Sequence, residues 1–536
     1  MINNLPTELV LKVLSHSPIK TLHSLCLVCH QLNDIIQAHE ASIYHNAATF
    51  HGYVPANAHY NEIYSSRSLV GIDGWKSFCK RRVLIAQGWL GRQPSTLRQH
   101  SRTASNSKVH RFKIDERRGF IVSTSSQGSL NVTDLATGDT LWALDKELNY
   151  VRRFAQCDYG EGFVVFDRDD ASKEVWRLAS EYNMSPLPAI SLPDSRQLDA
   201  YARSCALYPA SRVQFRPWLL LHIPLDTRAY RFVYPSLLVS GLHQAIIFDV
   251  PTGARVQRID ELQDAPHLRP YRFDNIAVHD VDLGAQHVLV CCAPSLKVFS
   301  RATGDCILQI GSHEILYSQH RFRLIPEDAQ AVPHTHPHSE LVECRTQQEI
   351  YTSLPRGRQF DQFVAVRVSP CGLHVALLLS CSRLIVVPYF ERIIAGEAWE
   401  EDTLIDIELG CIRYESIDLA YEHDRIAVAT AGGVFVVHLH LDERWPYVTV
   451  NRVARMTDPD DLQYVSCMQM TDTGLFVNCK PSPDPEHASR TFNTNLSDKF
   501  ASNVQALRDR DRLVVAPPHE AIAAVSAIYD LNVVPV

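Results

Sequence analysis

Along the first ninety residues apolar side chains recur every three or four positions; beyond them they recur every second position in short runs. The first spacing is that of one face of a helix and the second that of one face of a strand, so the chain divides into an all-α start and a long all-β remainder. Leu9, Val10, Val13 and Leu14 predict a first short amphipathic helix, entered at Pro6, with Glu8 favouring its positive end. Ser15-His16-Ser17-Pro18 breaks it, because a proline disfavours helical geometry in the residue before it. Leu22, Leu25, Cys26, Cys29 and Leu32 predict the next helical stretch, closed by Ile35 and Ile36. A unit of this size buries too little surface to stand alone and needs a partner surface. Trp75, Phe78, Cys79, Val83, Ala86, Trp89 and Leu90 mark a further helix, which at about sixteen residues is roughly 24 Å long. Residues 92–107, polar and poor in apolar side chains, read as a linker.

From Val109 onward, short β-branched runs are bounded by Gly, Pro, Asp and Ser. Three share one pattern, an alternating strand, a polar step, Thr-Gly and a second strand: Leu130 to Gly138, Ala245 to Gly253 and Leu296 to Gly304. This is the form of a propeller-blade hairpin. Thr252 and Thr303 lie 51 residues apart, one blade with a modest insertion, while the 115 from Thr137 to Thr252 leave room for one blade between. The runs Val364–Tyr389, Ile417–Leu439 and Tyr464–Cys479 supply further strand sets. The expected fold is a small all-α N-terminal unit followed by a large all-β propeller of about seven blades, with a tandem of β-sandwiches as the competing architecture. The expected boundaries are 1–45 for the docking helices, 46–107 for a helical stalk and linker, and 108–536 for the propeller.

Composition narrows the function. The chain of 536 residues is 46% apolar and 21% charged, as in a folded globular protein. No apolar run reaches membrane-spanning length and the N-terminus has no signal-peptide pattern, so a membrane or secreted protein is not expected. The net charge of −8 is uneven: residues 1–100 carry +4 and the remainder −12, which argues against nucleic acid as a bulk partner. Fourteen scattered cysteines suggest free thiols in a reducing compartment, cytoplasmic or nuclear. Cys26 and Cys29 form a lone C-x-x-C with no second pair for zinc. His334, His336 and His338, spaced by prolines, read as a surface loop; Lys80-Arg81-Arg82, the acidic run Glu397 to Asp406 and the alternating Arg508 to Arg512 stretch read as solvated faces. Nucleophile elbows, phosphate loops and zinc-protease motifs are all missing, so neither catalysis nor a cofactor or metal is expected.

The segments Leu5-Pro6-Thr7-Glu8-Leu9, Val13-Leu14, Leu25-Cys26-Leu27-Val28-Cys29 and Ile35-Ile36 closely resemble the F-box motif, over about residues 3 to 45. Leu32 stands where many members have tryptophan, and His30 where Arg or Lys is common. The segment from Trp75 to Arg82, with Trp89 and Gly91, is similar to the connecting helix of F-box proteins that carry WD repeats, and the hairpins resemble WD-repeat blades in pattern. Gly-His and Trp-Asp signatures are mostly absent. The resemblance implies a substrate receptor of an SCF-type ubiquitin ligase. In it, Leu5, Pro6, Leu9, Leu14, Leu25, Val28, Cys29 and Ile35 would dock a Skp-type adaptor, and through it cullin and RING subunits. The propeller would hold a protein target, and related receptors read phosphorylated targets through arginines; Arg228, Arg231 and Arg272 are of the right type. Two other readings stay open: a scaffold that recruits the adaptor without ubiquitin transfer, and a propeller enzyme with converging acidic or histidine side chains at its centre.

Overall fold

The computed structural model describes residues 5–100, 109–144, 151–184, 186–263, 278–312, 320–325, 332, 334–349, 361–396, 404–410, 415–441, 447–479 and 527–534. Seven helices come first: α1 (Thr7–Leu14), α2 (Ile19–Cys26), α3 (His30–Ala38), α4 (Glu40–Phe50), α5 (Tyr60–Ile63), α6 (Ser66–Leu69) and α7 (Trp75–Trp89). Pro6 and Pro18 stand directly before α1 and α2 in extended conformation. There each stops the preceding chain from being helical without costing the new helix an internal hydrogen bond. Val10, Leu14, Leu22, Leu32, Ile36, Ile43 and Tyr44 form one core, and Phe78 and Cys79 of α7 complete it. The partner surface that the first helices lack is thus supplied in part by their own chain.

The remainder is a ring of seven sheets. Blade 1 is an antiparallel meander of Val109–Asp115, Phe120–Ser125, Leu130–Asp134 and Thr140–Leu144. The innermost strands of blades 2 to 7 are Cys157–Gly160, Ala229–Val233, Val278–Leu283, Phe363–Val368, Ser416–Glu422 and Met468–Met470, each packed on the next. The three Thr-Gly hairpins are the outer hairpins of blades 1, 3 and 4, and blade 2 fills the gap between the first two. Their turns share one construction. Asp134, Asp249 or Ser300 accepts an N–H from the Thr with its side chain and one from the Gly with its carbonyl. Gly138, Gly253 and Gly304 have φ of 76°, 74° and 85°, a region other residues enter at a cost. Blade 2 carries an insertion holding a helix, Ser195–Leu207, and two outer strands, His320–Leu324 and Thr346–Glu349, extend blade 5.

The ring closes in a way the composition does not foretell. Thr96–His100, inside the segment expected to be a linker, is the outermost strand of blade 7, paired antiparallel with Ala527–Asn532. Closure to blade 1 is side chain to backbone: Ile114 donates its N–H to Gln469 Oε1 at 2.9 Å, and Gln469 Nε2 donates back to the Ile114 carbonyl at 3.2 Å. Nor is α7 a free stalk. Its second half, Ile85 and Trp89, belongs to a different core, with Leu341, Val434, Val453 and Val533 of the propeller. Ile85 takes the buried place expected for Ala86, which is exposed. Among the described residues no helix is long and apolar enough to cross a membrane.

Candidate adaptor-docking face and propeller centre

On α1, the side chains that do not enter the core are also apolar. Leu9 and Val13, four apart, share one side of the helix and are 52% and 50% exposed. Leu5, just before the helix, is exposed too. The turn between α2 and α3 projects Leu27 and Val28, 76% and 67% exposed. Helices this short cannot bury two faces, so once Val10, Leu14 and Leu22 fill the core these five are left outside. Of the residues expected to dock, Leu5, Pro6, Leu9 and Val28 are exposed; Leu25, Cys29 and Ile35 are half-buried against the core; Leu14 lies within it. Leu27 is more exposed than any of them, and Val13 is comparable with Leu9.

The far side of the helical unit is fixed to the propeller through three acidic residues. Arg67 makes a two-pronged pair with Asp530, both bonds 2.9 Å. Asp472 accepts from Arg82 at 2.5 Å and from Ser68 at 2.9 Å, and its carbonyl accepts from Trp89 Nε1 at 3.0 Å. Glu116 accepts from Ser65 and Thr473. Asp472 sits below the usual carboxylate range: burial opposes this, but the Arg82 charge outweighs it. Arg82, expected on a solvated face, is therefore an anchor, with Tyr53 and Tyr64 under its guanidinium; Lys80 remains exposed. Gly88 and Gly91 allow the close approach, since a Cβ would lie 2.6 Å from the Val533 carbonyl and 2.4 Å from that of Leu341 respectively.

The propeller centre holds charges that strand alternation could have revealed but no motif marks. Lys113 pairs with Asp158 at 3.0 Å, Arg231 with Asp282 at 3.0 Å, and Arg367 with Asp280. Each pair joins one blade to the next. The same carboxylates accept N–H groups of Phe232, Val366 and Val368. Asp418 and Glu422 are raised by burial, against the pull of Arg111 and Arg367 on the first and of Lys113 and Arg231 on the second. The acidic groups are held by cations and backbone, which makes the centre a set of clamps. Among the described residues no three His, Cys, Asp or Glu are grouped as metal ligands.

Of the other expected sites, Arg231 is engaged in this centre, Arg228 pairs with Asp226 at 2.9 Å, and Arg272 lies outside the described residues. Cys26 and Cys29 are half-buried beside the helical core. The histidine loop is not simply solvated: His336 donates its N–H to the Gly91 carbonyl at 2.9 Å and the His338 carbonyl accepts from Ser95. Asp406, at the end of the acidic run, is buried between Arg383 and Arg321, 2.7 and 2.8 Å away, while residues 397–403 and 508–512 lie outside the described residues.

No curated protein matches the chain. Among solved structures it is similar to "KlHsv2 with loop 6CD replaced by a Gly-Ser linker", at 11% identity and a TM-score of 0.36, over 64% of this chain and 84% of that one. It is also similar to the computationally designed Ika8 protein, at 13% identity and a TM-score of 0.36, over 69% of this chain and 93% of that one. Residues 2–41 match the family model of the F-box domain. Helices α1 to α3 thus belong to an F-box domain, followed in the same chain, after further helices, by a large seven-bladed β-propeller.

Proposed function

We propose that the protein is the substrate-recognition subunit of an SCF-type (Skp–cullin–F-box) ubiquitin ligase, itself without catalytic activity. Its F-box docks a Skp-type adaptor, and through it cullin and RING subunits, while its WD-repeat-like propeller holds a target protein. One observation carries this reading: Leu5, Leu9, Val13, Leu27 and Val28 remain exposed on an F-box whose core is otherwise filled. A large apolar residue left in water at five positions of so small a unit marks an interaction site. Leu25, Cys29 and Ile35, half-buried beneath, back the exposed residues, and Leu14 acts through the core. The anchoring of the F-box to the propeller supports a receptor that presents its target at a fixed distance, raising the local concentration of target lysines near the charged ubiquitin carrier.

Leu9→Ala combined with Val28→Ala tests the docking. Both side chains are mostly exposed, so the fold should survive, and each truncated anchor should cost about 2 kcal/mol of binding. The expected result is loss of the Skp-type adaptor from affinity purifications with an unchanged melting temperature. Undiminished adaptor recovery would refute the docking face. Target turnover in cells lacking the protein separates a ligase receptor from an adaptor-binding scaffold.

A further inference from the structure

Beside the F-box, where it passes into α4, the following loop and the start of α7, lies an open pocket of about 470 Å³. Its lining includes Ala41, His45, Ala58, His59, Glu62 and Trp75. The walls are aromatic: the Trp75 ring lies 4.4 Å from that of His45 and 5.2 Å from that of His59, both edge-on, and Tyr60 stands behind it at 4.9 Å. Ala41, Ser42, Ala56 and Ala58 are its small lining residues. The one carboxylate in the lining is Glu62, which is exposed and held at the rim by the His59 N–H at 3.3 Å. The other nearby acid, Glu40, is already paired with Lys76 at 2.9 Å. Glu62 thus sets an unneutralised carboxylate beside an indole, since the basic side chains Arg67, Arg82 and Lys76 are paired with other acids.

Such a lining attracts positive charge twice over. The Trp75 indole carries the aromatic quadrupole that draws cations, and the Glu62 carboxylate adds a full charge. The volume falls within the range of small-ligand pockets, roughly 300–1,000 Å³, enough for one long side chain with its flanking backbone. None of the exposed docking residues Leu5, Leu9 and Val28 lines it, so its occupant is distinct from the adaptor-docking face. We propose that this pocket binds the cationic head group, guanidinium or ammonium, of an arginine or lysine on a second protein partner.

Saturation-transfer NMR on the full chain tests this with N-acetyl-arginine amide and tetramethylammonium as probes. N-acetyl-leucine amide and inorganic phosphate serve as controls, and Glu62→Gln and His59→Ala as variants. Both substituted residues are exposed, and the amide of Glu62→Gln keeps an oxygen able to accept the His59 N–H, so the fold is retained in at least that variant. Both cationic probes should give a signal on the wild-type chain that falls about fivefold in Glu62→Gln and weakens with added salt. Absence of signal with both cations, an equal signal from the leucine control, a signal from phosphate instead, or no change in either variant would overturn the proposal.

Discussion

His438 shows how far one side chain departs from its solution chemistry when it is buried between the two parts of the molecule. Its Nε2 lies 3.1 Å from the carbonyl of Trp89. A carbonyl only accepts, so the ring must carry its proton there. Burial, helped by the Arg425 charge, pushes it down to about 3 from the ordinary 6.5. The unfolded chain therefore binds more protons between these values, and stability is lost as pH falls through that window. Glu174 works the other way. It is fully buried, accepts from Trp176 Nε1 at 2.7 Å, and burial lifts it to about 7 from 4.5. Here the folded chain binds more protons between 4.5 and 7, so stability falls as pH rises through that range. His438→Gln should flatten the acid limb of a urea-denaturation profile, and Glu174→Gln should remove the loss on approaching neutrality. Unchanged profiles would show that neither group stays buried in solution. At the α7 anchor, Arg82→Ala leaves Asp472 as a buried charge without its main partner and should cost about 3 kcal/mol, read as a lower melting temperature; Arg82→Lys should recover part of it.

At the scale of elements, α7 and the strand Thr96–His100 carry the connection between F-box and ring. One half of α7 completes the core of the helical unit and the other half is propeller core, so the helix cannot be detached from either without exposing apolar surface. The strand covers the edge of Ala527–Asn532, which would otherwise present unpaired backbone groups to other chains. A propeller starting at residue 105 should thus melt lower and aggregate more readily than one starting at residue 92, with faster hydrogen exchange at Ile528 to Leu531. Equal exchange in the two fragments would mean that this strand is dispensable for closure. A flexible insertion at Gly91 would break the same packing. Gly91 has φ of 68° against the Leu341 carbonyl, and the insertion would unseat the closing strand as well.

For the whole molecule, the consequence is one body in which the helical unit that carries the F-box sits on the propeller through Asp472, Asp530 and Glu116. If the proposed ligase role holds, that rigidity sets which target lysines the ubiquitin carrier can reach. Arg67→Ala with Arg82→Ala should then lower the ubiquitination rate while adaptor and target affinities, measured separately on the same variant, stay unchanged. An unchanged rate would remove positioning from the account. Ubiquitination of the target by the isolated propeller would overturn the receptor role itself.

The sequence by itself determined the elements and their order. Spacing of three and four placed the helices, alternation and Thr-Gly placed the hairpins, and the F-box motif stood out because its apolar residues keep a fixed local spacing. These are short-range properties, set by neighbours a few positions away. Tertiary structure alone decided the rest. That Leu14 is core while Leu9 is surface depends on which side of α1 the other helices pack against. Asp158, Asp280 and Asp282 become blade clamps only when the inner strands meet at the axis. A polar stretch such as Thr96 to His100 becomes a strand because residues more than four hundred positions away offer it a free edge. Pairing over that distance leaves no local pattern, since what stabilises the strand is the partner's backbone and not its own side chains.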